Sequence, residues 1–263
     1  MRTIFTKEMK LNIKSLLIWS LAVGGLGLIC VLMYRSMEGD VKEMADAFSN
    51  MGAFSDAFGM STLSIATLKG FFATEVGTVH GLGSGMFAAL IAIGILSKEE
   101  EGHTGEFLFS LPVSRTKVIA AKGLSVLIAL IVFTVICGVL YLIGVKMLGE
   151  TIPGDEFMRF MASQFLMNLE VASICFAISS LSGKNRIGLG IGTAMVLYFY
   201  DVVGRVVPDL KDYLFFGPYS YANASEIFSG AEADAKALAV GVIVIFAGIA
   251  GAFWQYNRRD LAG

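Results

Sequence analysis

The chain has 263 residues, 56% of them hydrophobic and only 16% charged, with a formal net charge of −2. Soluble domains carry about 25% charged residues, so this composition excludes an ordinary water-soluble fold and points to lipid. No nucleic-acid partner is expected.

Six uncharged or nearly uncharged apolar stretches follow one another, at residues 15–34, 76–97, 123–145, 160–183, 187–207 and 237–257. A membrane-crossing helix needs roughly 20 apolar residues. The expected fold is therefore an all-α membrane protein, a single six-helix transmembrane domain spanning residues 1–263. A closed β-barrel would show short alternating segments instead of continuous apolar runs. The four prolines (Pro112, Pro153, Pro208, Pro218) fall outside the runs or at their ends, where a lost helix hydrogen bond costs least.

Taken in order, residues 1–14 interleave basic side chains with Ile4, Phe5, Met9, Leu11 and Ile13. They read as a short amphipathic helix on the inner membrane surface or as a frayed tail. The first run is too long, and lacks the small-x-small pattern, for a cleaved signal peptide. In the long outer loop after it, Val41, Met44, Phe48, Met51 and Phe58 recur at helical spacing. That stripe fits an amphipathic outer helix, either packed on the mouth of the bundle or acting as a lid over cargo. In the second run Gly81 and Gly85 form a GxxxG, as do Gly188 and Gly192 in the fifth; such spacing permits close helix approach. His80 is expected near the outer side.

The linker between the second and third runs is the most specific segment. It reads Lys98-Glu99-Glu100-Glu101-Gly102-His103-Thr104-Gly105-Glu106-Phe107-Leu108-Phe109-Ser110-Leu111-Pro112-Val113-Ser114-Arg115. Thr104 can cap a short helix, with Glu106 at its favourable dipole end. Phe107, Leu108 and Leu111 share one apolar side, Pro112 ends the helix, and Ser114 is placed to cap the third span. His103-x-x-Glu106 lacks the further ligands that a metal site needs. The paired glutamates also lack the arginine of a Glu-Glu-x-x-x-Arg intramembrane protease.

Further on, Glu170 is the charge inside the fourth run. It lines a substrate path, pairs across a dimer, or makes a structural hydrogen bond. Asp201 and Arg205 are spaced for a helical ion pair. Residues 208–236 are too broken to span; their aromatics fit the outer interface or a re-entrant piece. Cys30, Cys137 and Cys175 all fall in apolar runs and read as packing residues.

With the N-terminus placed in the cytosol, the inner segments hold 12 basic and six acidic residues. The outer ones hold eight and 15, with Glu170 between. Positive residues stay inside, so both termini are expected in the cytosol of a multi-pass, bacterial cytoplasmic-membrane protein.

The linker, together with the ending Tyr256-Asn257-Arg258-Arg259-Asp260-Leu261, resembles the type-2 permeases of ATP-binding-cassette (ABC) exporters. The resemblance implies a transport subunit, not an enzyme, whose linker is a coupling helix seated on a separate ATPase. Glu100, Glu101, Thr104, Glu106, Phe107, Leu108, Pro112 and Arg115 would contact or brace that ATPase. The chain has no G-x-x-x-x-G-K-[ST] phosphate loop, so ATP and Mg would be held by the partner. The resemblance further implies a second permease chain and lipid contact. An amphipathic or hydrophobic cargo (peptide, drug or lipid) is expected. An ion-driven secondary transporter or an intramembrane enzyme is the alternative.

Overall fold

The computed structural model describes residues 1–105 and 112–259, without the side chains of residues 37, 38, 40–44, 46, 48 and 49. The described secondary structure is all helical. Six helices are long and apolar enough to cross a membrane.

Helix α1 is Arg2–Ser49, 48 residues without a break. The expected inner surface helix, first span and outer helix are thus one element. No proline interrupts residues 2–49, and its glycines cost a helix only about 1 kcal/mol each. The chain turns at Gly52 and continues as α2, Ala53–Phe58. Of the expected outer stripe, the side chains of Val41, Met44 and Phe48 lie outside the described residues.

The second span, α3, covers Leu68–Ile93, eight residues earlier than the apolar run suggests at its start. Its first turns absorb Lys69 and Glu75. It includes a π turn at Phe72–Val76, which allows the fully buried Phe72 ring to meet Tyr141, Phe157, Phe160 and Phe228 at 5.4–6.1 Å between centroids. This aromatic cluster joins α3 to the third and fourth spans. It also moves His80 from the expected outer side to mid-helix. There its Nδ1 lies 2.8 Å from the Tyr141 hydroxyl, and the residue is fully buried.

A single turn, α4 (Lys98–Glu101), follows. The third span, α5, is Arg115–Met147, and Ser114 caps it as expected by accepting from the Lys117 amide at 3.4 Å. The fourth, α6, is Gly154–Ser180, started by Pro153 with Asp155 and Glu156 in its first turn, the favourable end for anions. The fifth, α7, is Ile187–Val206. A broken outer segment holds α8 (Pro208–Lys211), a 3-10 turn at Leu214–Phe216 and α9 (Ala224–Phe228). The sixth span, α10, is Ala235–Arg258, capped by Asp234.

Helices α3 and α6 are the centre of the bundle, with 56% of their apolar windows buried against 22% for α7 and α10. The longest seam is α1 against α5. Close approach there depends on Gly24 and Gly144, where an added Cβ would come within 2.7 Å of Leu140 and 2.8 Å of Leu28. Gly188 and Gly192 face open space instead.

Candidate functional site at the inner ends of the spans

The single turn α4 carries three consecutive glutamates. Each reaches a different part of the chain. Glu99 accepts from Lys122 Nζ of α5 at 2.7 and 2.8 Å. Glu100 forms an ion pair with Arg259, just past α10. Glu101 accepts from the Asn185 amide at 3.1 Å, in the turn between α6 and α7.

Lys122 is the hub. It is 0% exposed and also donates to Glu8 of α1 at 3.1 Å and to the Ile95 carbonyl at 2.5 Å. The other oxygen of Glu8 pairs with Lys98. Lys122, Glu8 and Glu99 are buried, and the partly exposed Lys98 completes a cluster of two lysines and two glutamates that neutralise one another. Buried pairs of this kind add little net stability, but losing one partner strands a charge. The physical effect is to hold α1, α4 and α5 in one relative position.

The far end of the linker is tied as well. Arg115 donates to the carbonyls of Tyr256 at 3.4 Å and Arg259 at 2.5 Å. Arg259 in turn donates to the Ser180 carbonyl at 2.9 Å, at the end of α6. The linker and the C-terminal pattern, which stood apart in the sequence, are thus in direct contact.

Between these ties the backbone reverses at His103, whose φ of 51° is in the left-handed region. The Thr104 amide donates to the Glu99 carbonyl at 2.8 Å, and its hydroxyl donates to the same oxygen at 3.4 Å. Thr104 and Pro112 are exposed. Glu106, Phe107 and Leu108, with the short helix expected around them, lie outside the described residues.

Glu170 is 2% exposed and accepts from the Tyr221 hydroxyl at 2.7 Å. It faces Gly241 of α10, where a Cβ would come within 2.7 Å of the carboxylate. Glu170 thus sits in the packing of α6 against α10 and the outer segment. The expected ion pair in α7 is present: Arg205 meets Asp201 at 2.9 Å and extends to Glu226 at 2.6 Å. Burial and the neighbouring Glu170 raise the ionisation point of Tyr221 far above the usual phenol range, so its hydroxyl stays a donor. A cavity of about 50 Å³ on the outer side is lined by Gln164, Tyr198, Asp201 and Tyr219, among others. It has room for a water or two; a second cavity of about 200 Å³ at the same end is lined by Arg159, Ser220, Tyr221 and Glu226, among others. Among the described residues no cluster of His, Cys, Asp and Glu could hold a metal ion.

Two residues of the network, Glu8 and Lys122, were not singled out by the sequence reading, and Glu99 figured there only among the paired glutamates of the linker. The available signals were slight. Glu8 is the lone acid among Lys7, Lys10 and Lys14, and Lys122 abuts an apolar run.

These features define a multi-pass membrane protein in which one short linker ties together the span ends on the side that carries both termini. The chain belongs to the ABC-2 transporter family: residues 2–261 match the family described as ABC-2 family transporter protein. No curated protein matches the chain.

Proposed function

We propose that the chain is the transmembrane half of an ATP-driven exporter and that residues 98–115 receive motion from a separate ABC ATPase. The observation that carries this reading is the convergence of ties on the linker. Lys98, Glu99, Glu100, Glu101 and Arg115 connect it to α1, α5, α10 and the α6–α7 turn. A push on so short a segment is delivered to most of the inner ends at once. Glu100 and Glu101 act as braces, since their carboxylates are engaged within the chain. Thr104, Glu106, Phe107, Leu108 and Pro112 meet the ATPase, and Arg115 anchors the linker behind them.

The apolar exposure of α7 and α10 supports a pathway formed between two permease chains, with two ATPases below. The cargo is amphipathic or hydrophobic, and both termini are in the cytosol of a bacterial cell. ATP and Mg belong to the partner.

The test is Phe107→Asp in the permease coexpressed with its ATPase subunit. The variant should reach the membrane in normal amount yet fail to retain the ATPase or to stimulate hydrolysis with cargo. Full transport by this variant refutes the coupling role.

A further inference from the structure

We propose that the exposed basic strip on the first four turns of α1 is a binding site for the phosphate headgroups of anionic phospholipids. The proposal rests on the bilayer placement of α1 and not on the ATPase.

This stretch of α1 has two unlike faces. Glu8 and Leu16 are buried, at 1% and 4% exposure, and Glu8 is held by Lys98 and Lys122. The opposite face presents Arg2, Lys7, Lys10 and Lys14 to solvent, with Thr3, Thr6 and Leu11 between them. Lys7, Lys10 and Lys14 are three and four residues apart, so they lie on one side of the helix. Among the described residues none of these four has an acidic partner at ion-pairing distance. The ion cluster on the inner face fixes the rotation of the helix and keeps the strip turned outward.

The same face continues directly into Leu17, Ile18 and Leu21, which are 47%, 67% and 61% exposed. In a membrane protein these apolar side chains meet hydrocarbon. The change from charge to apolar surface between Lys14 and Leu17 therefore marks the hydrocarbon edge. At about 1.5 Å per residue, Lys14 stands roughly 5 Å and Lys10 roughly 10 Å along the axis from Leu17. A headgroup layer is about 5–8 Å deep. Long lysine stems reach back toward that layer while keeping their ammonium groups hydrated. Lys7, roughly 15 Å from Leu17 along the axis, stands within about one screening length of that layer, and Arg2, roughly 22 Å away, lies beyond it. Basic clusters beside a span attract anionic leaflets, and a strip that merges with lipid-facing surface suits a phospholipid better than an acidic protein. A headgroup held here acts on the turn that carries Glu8, and so on the position of Lys122 and Glu99.

The test uses the isolated permease in nanodiscs of mixed phosphatidylglycerol and phosphatidylcholine. Lipid retained after mild extraction is counted by native mass spectrometry. Wild type should retain phosphatidylglycerol preferentially. Lys7→Gln/Lys10→Gln/Lys14→Gln should lower that preference on the order of a hundredfold, with thermal stability unchanged because the side chains are exposed. The matching triple arginine variant should keep it. Equal retention of the two lipids by wild type, or an undiminished preference in the glutamine variant, overturns the proposal. So does an acidic protein bound by the strip without any lipid preference. No ATPase is present, so this outcome is independent of the coupling test.

Discussion

Replacing Lys122 by methionine keeps most of the stem and removes the charge. In the native protein Glu8 and Glu99 each have a carboxylate oxygen close to Lys122 Nζ, at 3.1 and 2.7 Å. Those two oxygens are thus at most about 5.8 Å apart. With the ammonium gone, two unit charges at that separation repel by about 3 kcal/mol at an effective dielectric of about 20. That agrees with the roughly 3–5 kcal/mol lost when a buried pair is broken by removing one partner. For a chain near this size the loss corresponds to a melting point lower by about 6–12 °C. Thermal unfolding in detergent reads it directly. Lys122→Met/Glu99→Gln should regain at least half of the loss, because the repulsion is gone. A Lys122→Met protein as stable as wild type would falsify the buried-cluster argument. A double variant no more stable than the single one would show that the loss comes from packing and not from charge.

Two further substitutions probe other contacts. Gly94→Ala places a Cβ about 2.5 Å from the Asn185 side chain; such overpacking costs about 1–3 kcal/mol, and Gly94→Ala/Asn185→Ala should recover most of it in the same melting assay. No recovery would place the conflict elsewhere. Tyr221→Phe removes the donor to the buried Glu170 carboxyl, a loss of about 1–3 kcal/mol. Glu170→Gln keeps an acceptor for Tyr221 and should melt higher than Tyr221→Phe; the reverse order would reject the structural role assigned to that bond.

Several features were readable without coordinates. Six long apolar runs became six long helices, because an uninterrupted apolar stretch of bilayer length satisfies its backbone only as a helix in lipid. The Ser114 cap and the Asp201–Arg205 pair were also legible, since each depends on residues a turn or less apart. Helix ends were harder to read. The second apolar run begins at Val76, but α3 begins at Leu68 and carries Lys69 and Glu75 in its first turns, which leaves His80 in mid-helix. The unbroken length of α1 was hidden because a change from apolar to polar composition looks like a loop when nothing shows what the helix packs against.

The sequence by itself determined the membrane class, the number of long helices and the position of the linker, all properties of contiguous stretches whose solvent preference is local. Only tertiary structure decided which charges meet. Glu8, Glu99, Glu100, Lys122 and Arg259 come from four separate segments. Their pairing follows from helix packing that brings the inner ends together out of water, where each charge must find an opposite one.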